Sequence, residues 1–122
     1  MLREAAKFLY DIATACEEVF EFTRERTFEE FQNDSLLRSA VERQFITIGE
    51  ALSQAIRVDP SVGVAISHTR LIIGFRNVLV HGYAVVSDAT VWGVIEDQLA
   101  TFEEEVRNLL ATADDASAEE ST

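Results

Sequence analysis

The chain has 122 residues, enough for one domain with its own apolar core, and its single cysteine, Cys16, excludes an internal disulfide. Ten basic residues against 22 acidic ones give a formal net charge of −12, which argues against general electrostatic attraction to nucleic acid or to anionic membrane. No charged-then-apolar leader opens the chain and no apolar run approaches the ~20 residues that cross a bilayer, so a soluble protein of the reducing cytoplasm, away from membranes, is expected.

The charge is unevenly spread. Residues 1–57 hold 11 acids and residues 96–120 hold nine, whereas residues 60–95 hold only Asp88 against Arg70 and Arg76.

Apolar residues recur at three- and four-residue spacing, and no sustained period-two alternation occurs, so the chain reads as all-α. In the first helix Leu2, Ala6, Leu9, Ala13, Cys16 and Phe20 form a stripe that Phe8, Ile12 and Val19 widen. A connector, Thr27-Phe28-Glu29-Glu30-Phe31, has the spacing of a capping box and predicts one helical turn. Asn33-Asp34-Ser35 then caps a second long helix to about Arg57, with the stripe Leu37, Val41, Phe45, Ile48, Leu52 and Ile56. Gly49 within it costs ~1 kcal/mol relative to alanine and so marks the close approach of another backbone. Glu50, next to it, asks for a partner.

Asp59-Pro60-Ser61 breaks that helix. After a loose segment with room for a helical turn, a third helix is expected over Thr69 to His81, with Gly82 ending it in a left-handed conformation. Leu71, Ile72, Ile73, Phe75, Val78, Leu79 and Val80 make this helix apolar on nearly all sides. A helix of that kind must be covered all round, and a four-helix domain is too small to do so, which points to a subunit interface. Ser87 caps a fourth helix with the stripe Val91, Ile95, Leu99, Phe102, Val106 and Leu109. From Ala113 only Asp, Glu, Ala, Ser and Thr remain, so residues 1–112 are read as the domain and 113–122 as a disordered acidic tail.

The third helix carries the chemistry. At about 100° per residue Asn77 and His81 share one face, and Arg76 and Tyr83 would share another if the helix continued past Gly82. These four groups converge only partly within one chain; a two-fold packing of third helices would bring both sets around one cleft.

The run Arg76-Asn77-Val78-Leu79-Val80-His81-Gly82-Tyr83 resembles the signature of HepT-like toxins in the HEPN superfamily. Glu42-Arg43-Gln44-Phe45-Ile46-Thr47-Ile48-Gly49-Glu50-Ala51 is similar to the family's second-helix block, and Phe28-Glu29-Glu30-Phe31 and Val91-Trp92 fall where the family has similar residues. The resemblance implies an antiparallel bundle of four to five helices that dimerises through the motif helix. It further implies metal-independent ribonuclease activity without a cofactor, and an MNT-type nucleotidyltransferase antitoxin that transfers AMP to the motif tyrosine, here Tyr83. Gly82 stands where many members carry aspartate or another polar residue.

The residue types suit that chemistry. Cleavage of RNA without metal needs a base for the 2′-hydroxyl proton, a task for histidine, which makes His81 the candidate. It also needs a fixed cation for the charge growing on the phosphate, and Arg76 offers a permanently charged fork. Such a reaction leaves a 2′,3′-cyclic phosphate. Asn77 either orients His81 or binds phosphate, Tyr83 holds substrate, and the second subunit's His81 can serve as the acid. Glu50 is a candidate support for Arg76, and Arg43 either pairs locally on the solvated face or reaches toward the cleft.

Plainer roles stand beside these. Arg76 alone would suit a structural pair with Glu50, His81 a favourable charge at a helix C-terminus, His68 a surface or capping role, and Cys16 the core. No Glu-x-x-His pair, zinc-ligand set or phosphate-cradling glycine loop occurs. Two functions therefore compete: a dimeric endoribonuclease toxin, and a non-catalytic helical subunit that docks a nucleotidyltransferase, which the net charge of −12 favours.

Overall fold

The structure, a computed structural model, describes residues 3–82 and 86–120, with residues 114–120 described by their backbone alone. Every regular element among the described residues is a helix. In chain order these are α1 (Arg3–Thr23), α2 (Phe28–Gln32), α3 (Ser35–Val58), α4 (Ser61–Ala65), α5 (Thr69–His81), α6 (Asp88–Asp97) and α7 (Leu99–Glu120). The chain is an all-α bundle, and no helix among the described residues is long and apolar enough to cross a membrane.

α3 is the centre of the bundle, packed against α1 on one side and α5 on the other, while α7 lies against α1. α1 buries Leu9, Ala13 and Cys16 of the expected stripe together with Ala5, Ile12, Ala15, Val19 and Thr23, whereas Ala6, Phe8 and Phe20 flank the core. Leu2 lies outside the described residues. Thr23 tolerates burial because its hydroxyl donates to the Val19 carbonyl oxygen at 2.8 Å. On α3, Leu37, Val41, Phe45, Ile48 and Leu52 are buried as their spacing predicts.

Local signals set the short elements. The Thr27 hydroxyl accepts from the Glu30 amide at 3.1 Å and the Glu30 carboxylate accepts from the Thr27 amide at 3.4 Å, which completes the capping box of α2. α2 thereby presents Phe31, fully buried, to Trp92 with ring centroids 5.2 Å apart. Asp34 caps α3 by accepting from the Leu37 amide at 3.0 Å. Beyond Pro60 the expected helical turn is α4, anchored by buried Val62.

The expected fourth helix is two helices. Gln98, with φ −127° and ψ −34°, interrupts it. The break lets α6 pack on α2 while α7 runs along α1. The apolar stripe crosses the break intact, since Val91, Ile95, Leu99, Phe102 and Val106 are all buried, and Leu110 rather than Leu109 is the buried residue that follows. α7 runs on past Ala113 to Glu120, so the backbone of the acidic stretch expected as a tail continues the helix.

Cys16 is fully buried among apolar side chains, as its place on the α1 stripe predicts. Loss of hydration, helped by the nearby Glu103 carboxylate, pushes its thiol up to about 12. A thiol raised that far stays protonated, and only the thiolate is the nucleophile. Iodoacetamide at pH 8 is therefore expected to leave native protein unlabelled and to modify it completely in denaturant. Rapid labelling of native protein would contradict the burial.

Gly49 explains how α5 sits on α3. A Cβ built there would lie 2.2 Å from Cβ and 2.7 Å from Cγ of Arg76, with the Ile72 carbonyl oxygen 3.5 Å away. The close approach expected from the glycine is thus made chiefly by the aliphatic stem of Arg76, not by backbone. Gly49→Ala must push α5 outward, and the overpacking is expected to cost about 1–3 kcal/mol in spite of alanine's better helix propensity. A shift in the midpoint of urea unfolding measures it; an unchanged or raised midpoint would contradict the packing.

Candidate active site on α5

Both ends of α5 are left-handed. His68 precedes it at φ 61° and is exposed without a side-chain cap bond, and Gly82 closes it at φ 63°, donating its amide to the Val78 carbonyl oxygen at 3.2 Å. Gly82 pays little for that conformation, whereas a Cβ would strain it. Tyr83 lies outside the described residues.

Among the described residues, the apolar residues of α5 that pack against the core are those of one side. Ile72, Ile73, Phe75 and Leu79 pack partly against the core, and Phe75 meets Phe45 edge-on at 5.2 Å between centroids. No residue of α5 is buried: Leu71, Val78 and Val80 are 51%, 40% and 41% exposed. Beside Leu71 an apolar cleft of about 350 Å³ opens between α5 and α6, with Phe75 and Val94 in its walls.

Arg76 leaves α5 toward α3. Its Nη2 donates to Glu50 Oε1 at 3.0 Å and its Nη1 to Asn77 Oδ1 at 2.9 Å, while its Nε is buried with no partner among the described residues. Glu50 is about half exposed, so it is a surface carboxylate gripping a mostly buried guanidinium rather than a buried acid rescued by it. The pair holds the planar head of Arg76 in one orientation. Coulomb attraction of an ion pair this exposed adds little stability, on the order of 1 kcal/mol or less.

The structure brings Arg76, Asn77 and Glu50 together and leaves His81 apart. Asn77 shares a face with His81 but directs its carbonyl oxygen to Arg76. His81 is exposed on the last turn of α5 and has no hydrogen bond among the described residues. His81 is five positions after Arg76, a rise of roughly 7.5 Å and a turn of about 140°. Among the described residues one chain therefore offers a positioned cation and an unbonded imidazole on different sides of one helix.

Arg43 is exposed on α3 and makes no ion pair among the described residues; its carbonyl oxygen accepts from the Thr47 hydroxyl at 3.2 Å. A polar groove of about 580 Å³ beside Arg76, formed by α1, α3 and α5, was not among the sites expected from the sequence. Its signal was present: Arg43, Thr47, Glu50, Gln54 and Arg57 recur at helical spacing opposite the apolar stripe of α3. Among the described residues no three His, Cys, Asp or Glu side chains come together as a metal site would require.

Known proteins resemble this chain over most of its length. A family model described as HepT-like, ribonuclease HepT-like, matches residues 12–61 and 65–109. This chain belongs to that family. The matched segments contain α3 and α5 whole, and with them every described residue of the candidate site. The chain is 32% identical over 104 residues to "Putative RNase MJ1380" of Methanocaldococcus jannaschii, covering 85% of this chain and 94% of that protein. It is 32% identical over 103 residues to "Probable ribonuclease HepT" of Thermococcus cleftensis, covering 81% of this chain and 89% of the relative. No solved structure gives a significant match.

Proposed function

We propose that this HepT-like protein is a metal-independent endoribonuclease toxin. The observation that carries the reading is the fixed guanidinium of Arg76, tied by Glu50 and Asn77 on the same helix that ends in His81, whose side chain has no partner among the described residues. His81 takes the 2′-hydroxyl proton, the oxygen attacks the adjacent phosphorus, and Arg76 meets the charge on the phosphoryl oxygens. The 5′-oxygen leaves with a proton supplied by a second imidazole, and the product end is a 2′,3′-cyclic phosphate.

The second imidazole comes from a second copy of the chain. α5 is apolar on nearly every side yet buries no residue fully within one chain, so Leu71 and Val78, seven residues apart on one face, form a natural two-fold contact, with the neighbouring cleft ready to take an apolar side chain. Pairing of α5 helices sets the His81 of one protomer and that of its partner at one seam. Asn77 binds phosphate beside Arg76, and Tyr83 contacts substrate at the end of the motif.

A nucleotidyltransferase antitoxin controls the enzyme by transferring AMP from ATP to the Tyr83 hydroxyl in the cytoplasm, with pyrophosphate as the leaving group and release of the phenol proton. The support for this step is the family and the motif position of Tyr83. Expression of the chain alone and beside an adjoining nucleotidyltransferase gene tests the pairing. Growth arrest alone, relief on co-expression and one added AMP on Tyr83 by intact mass and peptide mapping are expected. No growth arrest by unmodified chain would favour the non-catalytic docking subunit that the net charge of −12 suggests.

A further inference from the structure

Glu50, which grips Arg76, lies in the middle of a polar line on α3. Thr47 and Gln54 stand on either side of it, and Arg57 follows seven residues on, about 10 Å along the helix axis. Arg43 stands seven residues before Glu50 and extends the line in the other direction. With the guanidinium of Arg76 at Glu50, three arginines follow one another along one face.

The part of this line from Thr47 to Arg57 is the floor of the groove of about 580 Å³, which Phe8 and Asp11 of α1 wall on one side and Arg76 on the other, and Arg43 lies outside the lining, one turn before Thr47. Arg57 is exposed and makes no ion pair among the described residues. Lys7 adds a fourth cation at the rim, its Nζ 5.0 Å from the centre of the Phe8 ring. Arg76 is neutralised by Glu50, but Arg43, Arg57 and Lys7 make no ion pair among the described residues, which in a chain of net charge −12 leaves three unpaired cations in or near one groove.

We infer that this groove holds single-stranded RNA beside the cleavage site, with Arg57 contacting a phosphate of the strand that enters or leaves Arg76. The inference rests on the ribonuclease reading above. A row of separated cations suits the repeating charge of a backbone, whereas a single inorganic anion needs them convergent. Phe8 supplies an apolar wall for a base, and Thr47, Gln54 and Asp11 supply hydroxyl, amide and carboxylate groups for base edges. Confining attraction to this track also lets the acidic remainder of the surface repel nucleic acid that is not seated in it.

The test measures binding of a fluorescein-labelled, mixed-sequence single-stranded RNA to full-length His81→Ala protein across a salt series. In that background Arg57→Gln is expected to weaken binding about fivefold and to lower the slope of log affinity against log salt by about 0.7, the loss of one phosphate contact. Arg24→Gln, an equal charge change beyond the far end of α1, is expected to stay within about twofold. Equal effects of the two substitutions, an unchanged slope with Arg57→Gln, or no RNA binding would each overturn the groove assignment. Cleavage by protein that retains His81 is scored separately: Arg57-dependent binding without cleavage removes the ribonuclease reading and keeps the groove, and cleavage with Arg57-independent binding does the reverse.

Discussion

His81→Ala is expected to lower RNA cleavage by about 10²–10⁴-fold, the usual share of a positioned acid–base group. The fold gives a clean test. His81 is exposed on the last turn of α5 with no hydrogen bond among the described residues, so its truncation opens no cavity and orphans no polar group. Thermal midpoint and oligomeric state should match the parent. If imidazoles of both protomers serve one cleft, a dimer with a single His81→Ala subunit loses more than half of its activity. Cleavage within about threefold of the parent would remove His81 from the mechanism.

The second large effect is expected at Arg76, where lysine separates geometry from charge. Lysine keeps the Cβ and Cγ that lie over Gly49 and keeps the positive charge, so the seat of α5 on α3 is preserved. It lacks the planar fork that donates to Glu50 and Asn77 at once. The ammonium can turn to Glu50 but cannot also hold Asn77, and the buried Nε–H disappears. Stability should therefore change little while cleavage falls by about 10²–10³-fold, the usual loss of a fixed transition-state donor. Equal activity of Arg76→Lys and parent would mean that charge alone is needed and that the tether is structural.

Both predictions follow from residues whose pattern was open to a reader of the sequence. Thr69–His81 is delimited by the composition around it and by Gly82, and the structure begins and ends α5 at those residues. The capping box at Thr27 and the cap at Asp34 were legible because each uses a local spacing rule that tertiary packing does not disturb. Arg76 with Glu50 was legible for another reason: a charged residue in each of two apolar helices, one beside a glycine, has few ways to be satisfied.

What stayed hidden depends on how elements lie against one another. Neither glycine nor proline marks the break at Gln98; it exists because α6 must reach Phe28 and Phe31 while α7 follows α1. The choice of Ala5 over Ala6 for the covered flank of α1 has the same origin, since a helix apolar at both 5, 9, 12, 16 and 6, 9, 13, 16 takes its exact facing from α3. The turn of Asn77 toward Arg76 rather than His81 is a choice of side-chain conformation that helical angles cannot supply. The groove on α3 needed α1 and α5 as walls before its polar line enclosed anything.

The central claim is that α5 carries the groups for metal-independent cleavage of RNA. Its most direct test incubates purified, unmodified protein with end-labelled RNA in EDTA and maps the product termini. The account predicts cleavage that leaves a 2′,3′-cyclic phosphate on one fragment and a 5′-hydroxyl on the other. Intact RNA, or products ending in 3′-hydroxyl and 5′-phosphate, would contradict it.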